Sequence, residues 1–238
     1  GIAVAVSVRK ALAGELVPDA VNVKGGAIHP TIRPSLPLVE KMAQIATAIA
    51  GESPVTLAVS VRGDISEHDS SILATSALKG SLIGAGSEAV TYVNAPALAE
   101  EKGMSATVTT ETDSPFYRSM ISLHAAFADG KSVTVDGTLM GIRMVEKIIA
   151  INGFDLDLPP TENLIFLQYG DKPGVVGVVG NLLGKAGINI AGMQVARSDD
   201  GKEAFMAITV DSSLTPDLVS TISKETGAAL VRAVGLVS

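Results

Sequence analysis

Cysteine and tryptophan are missing from this chain of 238 residues, and its only aromatic residues are five Phe and three Tyr. The absence of cysteine excludes disulfide bonds, thiolate zinc sites and a cysteine nucleophile, and it fits a reducing, cytoplasmic location. So few aromatic rings do not predict a stacking platform for bases or sugars.

Histidine and charge are also scarce. The three histidines, His29, His68 and His124, lack the spacing of metal ligands, so no metal site is predicted. Charged residues make up 18% of the chain, the net charge is −7 and there is no basic stripe, so nucleic acid is not an expected partner. No apolar run reaches the roughly 18 residues of a membrane-spanning helix. The low charge indicates a surface partly buried against other subunits.

The start of the chain is typical of the middle of a helix. It reads Gly1-Ile2-Ala3-Val4, with neither Met nor a signal peptide before the apolar run. Residues 1–13 have helical character, and 15–23 form an extended tail. We therefore expect a fragment of a longer protein.

Residues 24–160 predict a mixed, largely antiparallel α+β domain. After a linker over 24–37, apolar residues at a 3.6-residue period predict a helix over 38–50, ended by Gly51. Asp129-Gly130 and Asn152-Gly153 predict tight hairpins. Further helices are predicted over 66–83 and 96–103, and strands over 55–61, 88–93, 104–112, 118–128, 131–139, 146–151 and 154–158.

Residues 161–238 follow the boundary at Pro159-Pro160 and predict a ferredoxin-like βαββαβ fold. The strands are expected over 163–169, 188–197, 203–211 and 228–237, and the helices over 173–186 and 215–226. Both helices then cover one face of the sheet. The opposite face is apolar enough to require a cover.

The segment over 168–190 gives the strongest indication of a ligand-binding site. Pro173 suits the first position of a helix, so the N–H groups of Gly174, Val175 and Val176 are expected to attract a carboxylate. Asp171 can accept hydrogen bonds from an ammonium group, and the Asn189 amide can donate and accept. A free amino acid has both charged groups. The alternative is structural: Asp171 only caps the helix, and Gly177, Gly180 and Gly184 allow the helix to pack on the sheet.

The D-K-P-G loop, the following G-x-x-G-x-L-L helix and the G-I-N-I strand start resemble an ACT domain, the small regulatory module that binds amino acids. The remaining chain resembles the D-3-phosphoglycerate dehydrogenase family. The similar segments are SVRKALAGELVPDAVNV, EAVTYVNAPA, SPFYRS and the run from GTLMG to INGFDLDL. The resemblance implies a catalytic-domain helix and tail over 1–23, an allosteric substrate-binding domain over 24–160 and an ACT domain over 161–238.

This resemblance implies a serine site where two ACT domains meet. Tyr169, Asp171 and Asn189 match family positions that hold L-serine, and Asn189 would reach the ligand of the neighbouring chain. With the helix start and the strand that follows Asn189, the expected effector residues are Tyr169, Asp171, Gly174, Val175, Asn189 and Ile190.

The family also has an anion site built from a Lys and two Arg. Lys147 matches the Lys, whereas Pro159 and Thr209 occupy the Arg positions, which removes the bidentate grip of two guanidinium groups. Arg118 and Arg143 are possible substitutes.

No catalytic residues are predicted. The family's NAD-binding and catalytic domains would precede Gly1, so NAD belongs to the parent enzyme. Gly84 to Ala89 match G-x-G-x-x-A, but they follow a helix and lead into a predicted strand, the reverse of the required context. Asp113, Ser114 and His124 lack the setting of a hydrolase triad.

The expected function is regulation and oligomerisation within a D-3-phosphoglycerate dehydrogenase, as a dimer or tetramer with L-serine as feedback inhibitor. The parent would oxidise 3-phosphoglycerate with NAD in the first step of serine synthesis. The alternative is a free-standing ACT-type protein that binds an amino acid of another pathway.

Overall fold

The computed structural model describes residues 28–237, so the helix and tail predicted over 1–23 lie outside the described residues. The chain divides into two compact units that meet in sequence between Lys147 and Ile148. The description below takes each unit by itself. None of the described helices is long and apolar enough to cross a membrane.

The described part of the first unit, from residue 28, holds three α-helices and a mostly antiparallel sheet. In this unit the strands follow the order β2-β1-β3-β4, and only the β1–β2 pair is parallel. The expected α+β class is confirmed. The elements are α1 Ser35–Ala50, β1 Thr56–Gly63, the 3-10 turn Asp64–Glu67, α2 Ile72–Gly84, α3 Ala95–Glu101, β2 Ser105–Glu111, β3 Ser119–Ala126, β4 Ser132–Met140 and the start of β5, Val145–Ile151.

Helices α1 and α2 pack closely against each other where two glycines of α2 face the backbone of α1. A methyl group at Gly80 would overlap the backbone carbonyl of Glu40, and one at Gly84 would lie 3.1 Å from the Cα of Gln44. The same contact buries an ion pair, since Nζ of Lys79 lies 2.7 Å from Oε2 of Glu40. The glycines let the two backbones approach closely enough for this pair to close.

The strand predicted over 88–93 is wrong, because this segment forms a turn that leads into α3. The backbone N–H of Thr91 donates to Oδ1 of Asn94 at 2.7 Å, and the N–H of Asn94 donates to Oγ1 of Thr91 at 3.2 Å. These two side chains satisfy the local backbone, so the β-branched residues have no need of a sheet partner.

The helix predicted over 66–83 begins later, at Ile72. His68 is extended, and Oδ1 of Asp69 accepts a hydrogen bond from the N–H of Ser71 at 3.0 Å. Asp69 therefore stabilises a turn before the helix.

The second unit has the expected βαββαβ order after a short hairpin. Asn152 and Gly153 both have positive φ, 49° and 81°, as the predicted tight turn requires. The sheet order is β10-β7-β9-β8, with all neighbours antiparallel. The elements are β6 Phe154–Leu158, β7 Asn163–Gly170, α4 Val175–Lys185, β8 Ile190–Arg197, β9 Glu203–Val210, α5 Pro216–Thr226 and β10 Leu230–Gly235.

Each face of this second sheet is covered. On one face Val175, Val179 and Leu183 of α4 and Ile222 of α5 join the buried core. On the other, the ring of Phe154 in β6 stacks on Phe205 at 5.4 Å, and Phe205 stacks on Phe166 at 5.8 Å. The cover that the sequence required is therefore supplied in part by the preceding hairpin.

Candidate effector site

The end of β7 presents Tyr169 and Asp171 side by side. Tyr169 is buried, 4% exposed, in the core beneath the helices. The backbone N–H of Asp171 donates to the carbonyl of Lys202 at 2.8 Å, which fixes the loop to the neighbouring hairpin. The Asp171 carboxylate is thus held on a rigid base at the edge of the core.

Arg197 forms an ion pair with this carboxylate. Its Nε lies 3.0 Å from Oδ2 of Asp171, and the Arg197 side chain is 71% exposed whereas that of Asp171 is 20% exposed. In the strand register, Tyr169 and Arg197 both lie opposite Ala204, so the three side chains share the helix face. Since Ala204 is small, the Arg197 side chain can cross over it to reach Asp171.

The electrostatics keep Tyr169 neutral. Burial raises the pKa of the Tyr169 phenol, and the negative charge of Asp171 raises it further, while Arg197 acts in the opposite direction. The phenol therefore retains its proton at neutral pH and can donate a hydrogen bond.

Helix α4 begins at Val175, two residues later than the predicted start at Pro173. Gly174 is the N-cap with φ of +94°, a conformation that glycine adopts without strain, and its carbonyl accepts from the N–H of Val178 at 3.0 Å. The N–H groups of Val175 and Val176 have no partner inside the helix. The predicted N-terminal donors are present, with Gly174 in the turn before them.

The glycines of α4 do not pack on the sheet, so that interpretation is wrong. A Cβ atom at Gly177, Gly180 or Gly184 would meet nothing within 4 Å. The core face of the helix is formed by Val175, Val179 and Leu183. The glycines therefore lie on the outer side of the helix, where the described residues leave open space.

Asn189 and Ile190 lie at the opposite end of the sheet from Asp171. Strands β7 and β8 both run antiparallel to β9, so they are parallel to each other, and Asp171 lies near Arg197 at the end of β8. Eight residues of extended strand separate Asn189 from Arg197, which is about 26 Å. The backbone N–H of Asn189 donates to Oδ1 of Asp211 at 3.1 Å. Within one chain, the six predicted effector residues therefore form two groups at opposite ends of the sheet.

The residue that sequence reasoning missed is Arg197. Its position in β8 places it on the helix face, but only the pairing of β8 and β7 with β9 reveals that it lies in one row with Tyr169. A cation two strands away from an acidic loop carries no recognisable spacing in the sequence.

The candidate anion residues lie in the first unit. Nε of Arg118 lies 2.6 Å from Oδ2 of Asp64, at the rim of a cavity of about 470 Å³. Arg143 lies in the exposed turn between β4 and β5, and Lys147 lies in β5. Thr209, at one of the two positions where the resemblance implies Arg, donates through Oγ1 to the carbonyl of Gly192 at 3.4 Å. In the structure Arg118 forms an ion pair with Asp64, and the anion site stays a prediction.

Other motifs have structural roles in the described residues. Gly84 ends α2 and the turn after it leads to no strand, which does not fit a dinucleotide-binding loop. Nδ1 of His124 lies 3.0 Å from Oγ1 of Thr134 on the neighbouring strand. Between residues 28 and 237, no group of three His, Asp or Glu is arranged to hold a metal ion.

Comparison with known proteins agrees with the predicted fold. A family model for the ACT domain matches residues 163–227, and one for the D-3-phosphoglycerate dehydrogenase intervening domain matches residues 31–152, about half of the chain. The second unit is thus an ACT-type module preceded by an intervening domain.

Several relatives share one name, and their similarity covers nearly the whole of this chain. The D-3-phosphoglycerate dehydrogenase of Mycobacterium leprae is 42% identical over 236 residues, which is 99% of this chain and 45% of that protein. The enzyme of the same name from Synechocystis is 33% identical over 227 residues, 94% of this chain and 41% of that protein. The chain belongs to the D-3-phosphoglycerate dehydrogenase family, and it spans less than half the length of these curated relatives.

Proposed function

We propose that this chain is the serine-sensing and oligomerisation part of a D-3-phosphoglycerate dehydrogenase. The observation that best supports this proposal is that the predicted effector residues lie at two ends of one sheet. Strand β8 forms an edge of that sheet, because it pairs with β9 alone among the described strands. An unpaired edge favours pairing with another strand, and a second copy of this chain offers an identical one.

A twofold arrangement of two β8 strands would complete the site. In an antiparallel pair centred near Met193, residue 189 of one copy lies opposite residue 197 of the other. Asn189 of the second copy would then approach Asp171, which is paired with Arg197 in the first. Two equivalent sites would form, each with residues from both chains.

The chemistry of this composite site suits L-serine. The Asp171 carboxylate would bind the ammonium group, and the N–H groups at the start of α4 would attract the carboxylate. The Tyr169 phenol and the Asn189 amide offer further hydrogen bonds, and Gly174, Val175 and Ile190 provide the backbone and apolar surroundings.

Serine binding at a shared interface supports feedback control of an enzyme. The parent would oxidise 3-phosphoglycerate with NAD, in the cytoplasm, as the first step of L-serine synthesis. Serine would inhibit by stabilising one arrangement of two ACT domains over another, with a coupling free energy of about 1–3 kcal/mol. In this proposal NAD belongs to the parent enzyme, and hydride transfer is assigned to none of the described residues.

The test is a calorimetric titration of the 238-residue chain with L-serine, with glycine and D-serine as controls for the side chain and stereochemistry. We expect selective, saturable binding that Asp171→Ala and Asn189→Ala each abolish. Asp199→Ala and Asn181→Ala, at exposed positions of the second unit, are matched controls that should bind normally. Unchanged binding in Asp171→Ala and Asn189→Ala would contradict the site, and selective binding of another amino acid would contradict the assignment to serine.

A further inference from the structure

The Asp171–Arg197 ion pair occupies the position where an effector ammonium group is proposed to bind. Only one atom of each group takes part, Oδ2 of Asp171 and Nε of Arg197. Among the described residues, no other hydrogen bond or ion pair engages the terminal nitrogens of Arg197 or Oδ1 of Asp171. Each charged group therefore has capacity for another partner.

We infer that a zwitterionic α-amino acid inserts into this ion pair, so that its ammonium group binds Asp171 and its carboxylate binds Arg197 in addition to the N–H groups at the start of α4. The inference rests on the proposed function and adds Arg197 as a specificity-determining residue of the site. The exchange replaces one ion pair by two, so both Asp171 and Arg197 keep a partner of opposite charge.

The positions of the two side chains favour this exchange. Asp171 is fixed by its backbone bond to Lys202 and is mostly buried, whereas Arg197 projects into solvent from the edge strand. The guanidinium group can therefore move away while the carboxylate stays. Its planar end presents two N–H groups in the geometry that a carboxylate accepts.

The exchange also explains how the site can require both charges of its ligand. An amine without a carboxylate would separate Asp171 from Arg197 and leave the guanidinium group unpaired. A carboxylate without an amine would compete with Asp171 for Arg197 and leave Asp171 unpaired in its mostly buried position. Only a ligand with both groups gives each side chain a new partner.

The test uses the 238-residue chain and three ligands: L-serine, ethanolamine, which lacks the carboxylate, and 3-hydroxypropionate, which lacks the ammonium group. The variant is Arg197→Met. Its control is Lys202→Met, which removes one positive charge from the adjoining hairpin, where Lys202 pairs with Asp200 at 3.0 Å. Lys202→Met keeps the backbone carbonyl that anchors Asp171.

For the wild-type chain and Lys202→Met we expect equal binding of L-serine and weak binding of the other two ligands. In Arg197→Met, L-serine affinity should fall by about tenfold or more, as loss of a charge-assisted hydrogen bond predicts. Ethanolamine should bind Arg197→Met more tightly than it binds the wild type, since Asp171 is then unoccupied. Arg197→Lys should recover part of the L-serine affinity.

Serine binding by the wild type with unchanged affinity in Arg197→Met would overturn this inference alone. A rise of serine affinity in Arg197→Met would also overturn it, because Arg197 would then be only a competitor for Asp171. If the wild-type chain binds no serine, the proposed function and this inference both fail.

Discussion

Tyr92 lies in a buried charge cluster of the first unit whose members depend on one another. Its hydroxyl donates to Oε1 of Glu40, whose Oε2 pairs with Lys79, and Nζ of Lys79 lies 4.7 Å from the centre of the Tyr92 ring. Burial, and then the charge of Glu40, raise the pKa of Tyr92 well above its ordinary value of 10.0. The phenol therefore stays protonated in the folded protein at alkaline pH.

This shift predicts a loss of stability in alkali. Above about pH 10 the unfolded chain releases the Tyr92 proton while the folded chain keeps it, so the free energy of unfolding falls by up to about 1.4 kcal/mol per pH unit. Tyr92→Phe removes this contribution but also loses the bond to Glu40. We expect the variant to be less stable at pH 8 and the gap to narrow above pH 10.

Urea unfolding of both proteins between about pH 8 and 11 measures this gap. Tyr117→Phe, in the loop before β3, is the control for loss of one phenol. A gap that stays constant over the whole range would show that Tyr92 does not keep its proton in the folded state.

Single residues divide into those that the sequence could identify and those that it could not. Asp171 could be singled out as a candidate because it precedes a Pro-Gly helix start, where a carboxylate either stabilises the helix or faces a ligand. Arg197 could not, because its partner is set by strand pairing between segments 26 residues apart in number. The prediction that Gly177, Gly180 and Gly184 face the sheet is wrong. A spacing of three and four residues places them on one side of the helix but does not show whether that side faces the sheet or the solvent.

At the scale of elements, hairpins and amphipathic helices follow from the sequence because their signals are local. Asn152-Gly153 forms the expected tight turn with both residues at positive φ, whereas in the hairpin between β3 and β4 only Gly130 of the Asp129-Gly130 pair has positive φ. The segment 88–93 has strand-like composition but forms side-chain hydrogen bonds between Thr91 and Asn94. Composition alone could not predict that these bonds replace a sheet partner.

The side chain of Gln194 attaches strand β6 to β8 of the ACT sheet through two hydrogen bonds. Nε2 of Gln194 donates to the carbonyl of Asp157 at 2.7 Å, and the N–H of Asp157 donates to Oε1 of Gln194 at 2.8 Å. This amide joins the hairpin to β8 between the two groups of effector residues. Loss of both bonds should weaken the attachment of β6 while the stacking of Phe154 on Phe205 remains.

We therefore predict that Gln194→Ala loosens β6 locally. Removing the two bonds should cost about 1 kcal/mol in local opening, which is about a fivefold faster hydrogen exchange of the Asp157 amide. Gln168→Ala, which removes a side-chain bond to Glu203, is the control and should leave that amide unchanged. Equal exchange rates in wild type and Gln194→Ala would show that the amide does not hold β6.

At the scale of the whole molecule, the sequence predicted both folds, and it also predicted effector residues from two chains, which stays a prediction. The βαββαβ order and the α+β intervening domain follow from periodicity and turn residues. The separation of about 26 Å between Asn189 and Arg197, the partner of Asp171, follows only from strand order. That separation is the reason for proposing that each site takes residues from two chains.

The most direct measurement of this central claim is serine binding by a mixture of Asp171→Ala and Asn189→Ala chains, compared with each variant alone. Neither variant should bind alone, since every site in its homodimer has a defect. After unfolding and refolding together at equal amounts, half of the dimers are mixed, and each has one intact site. Titration should then recover about a quarter of the wild-type binding capacity at wild-type affinity. No recovery in mixed dimers would contradict a site shared between two chains.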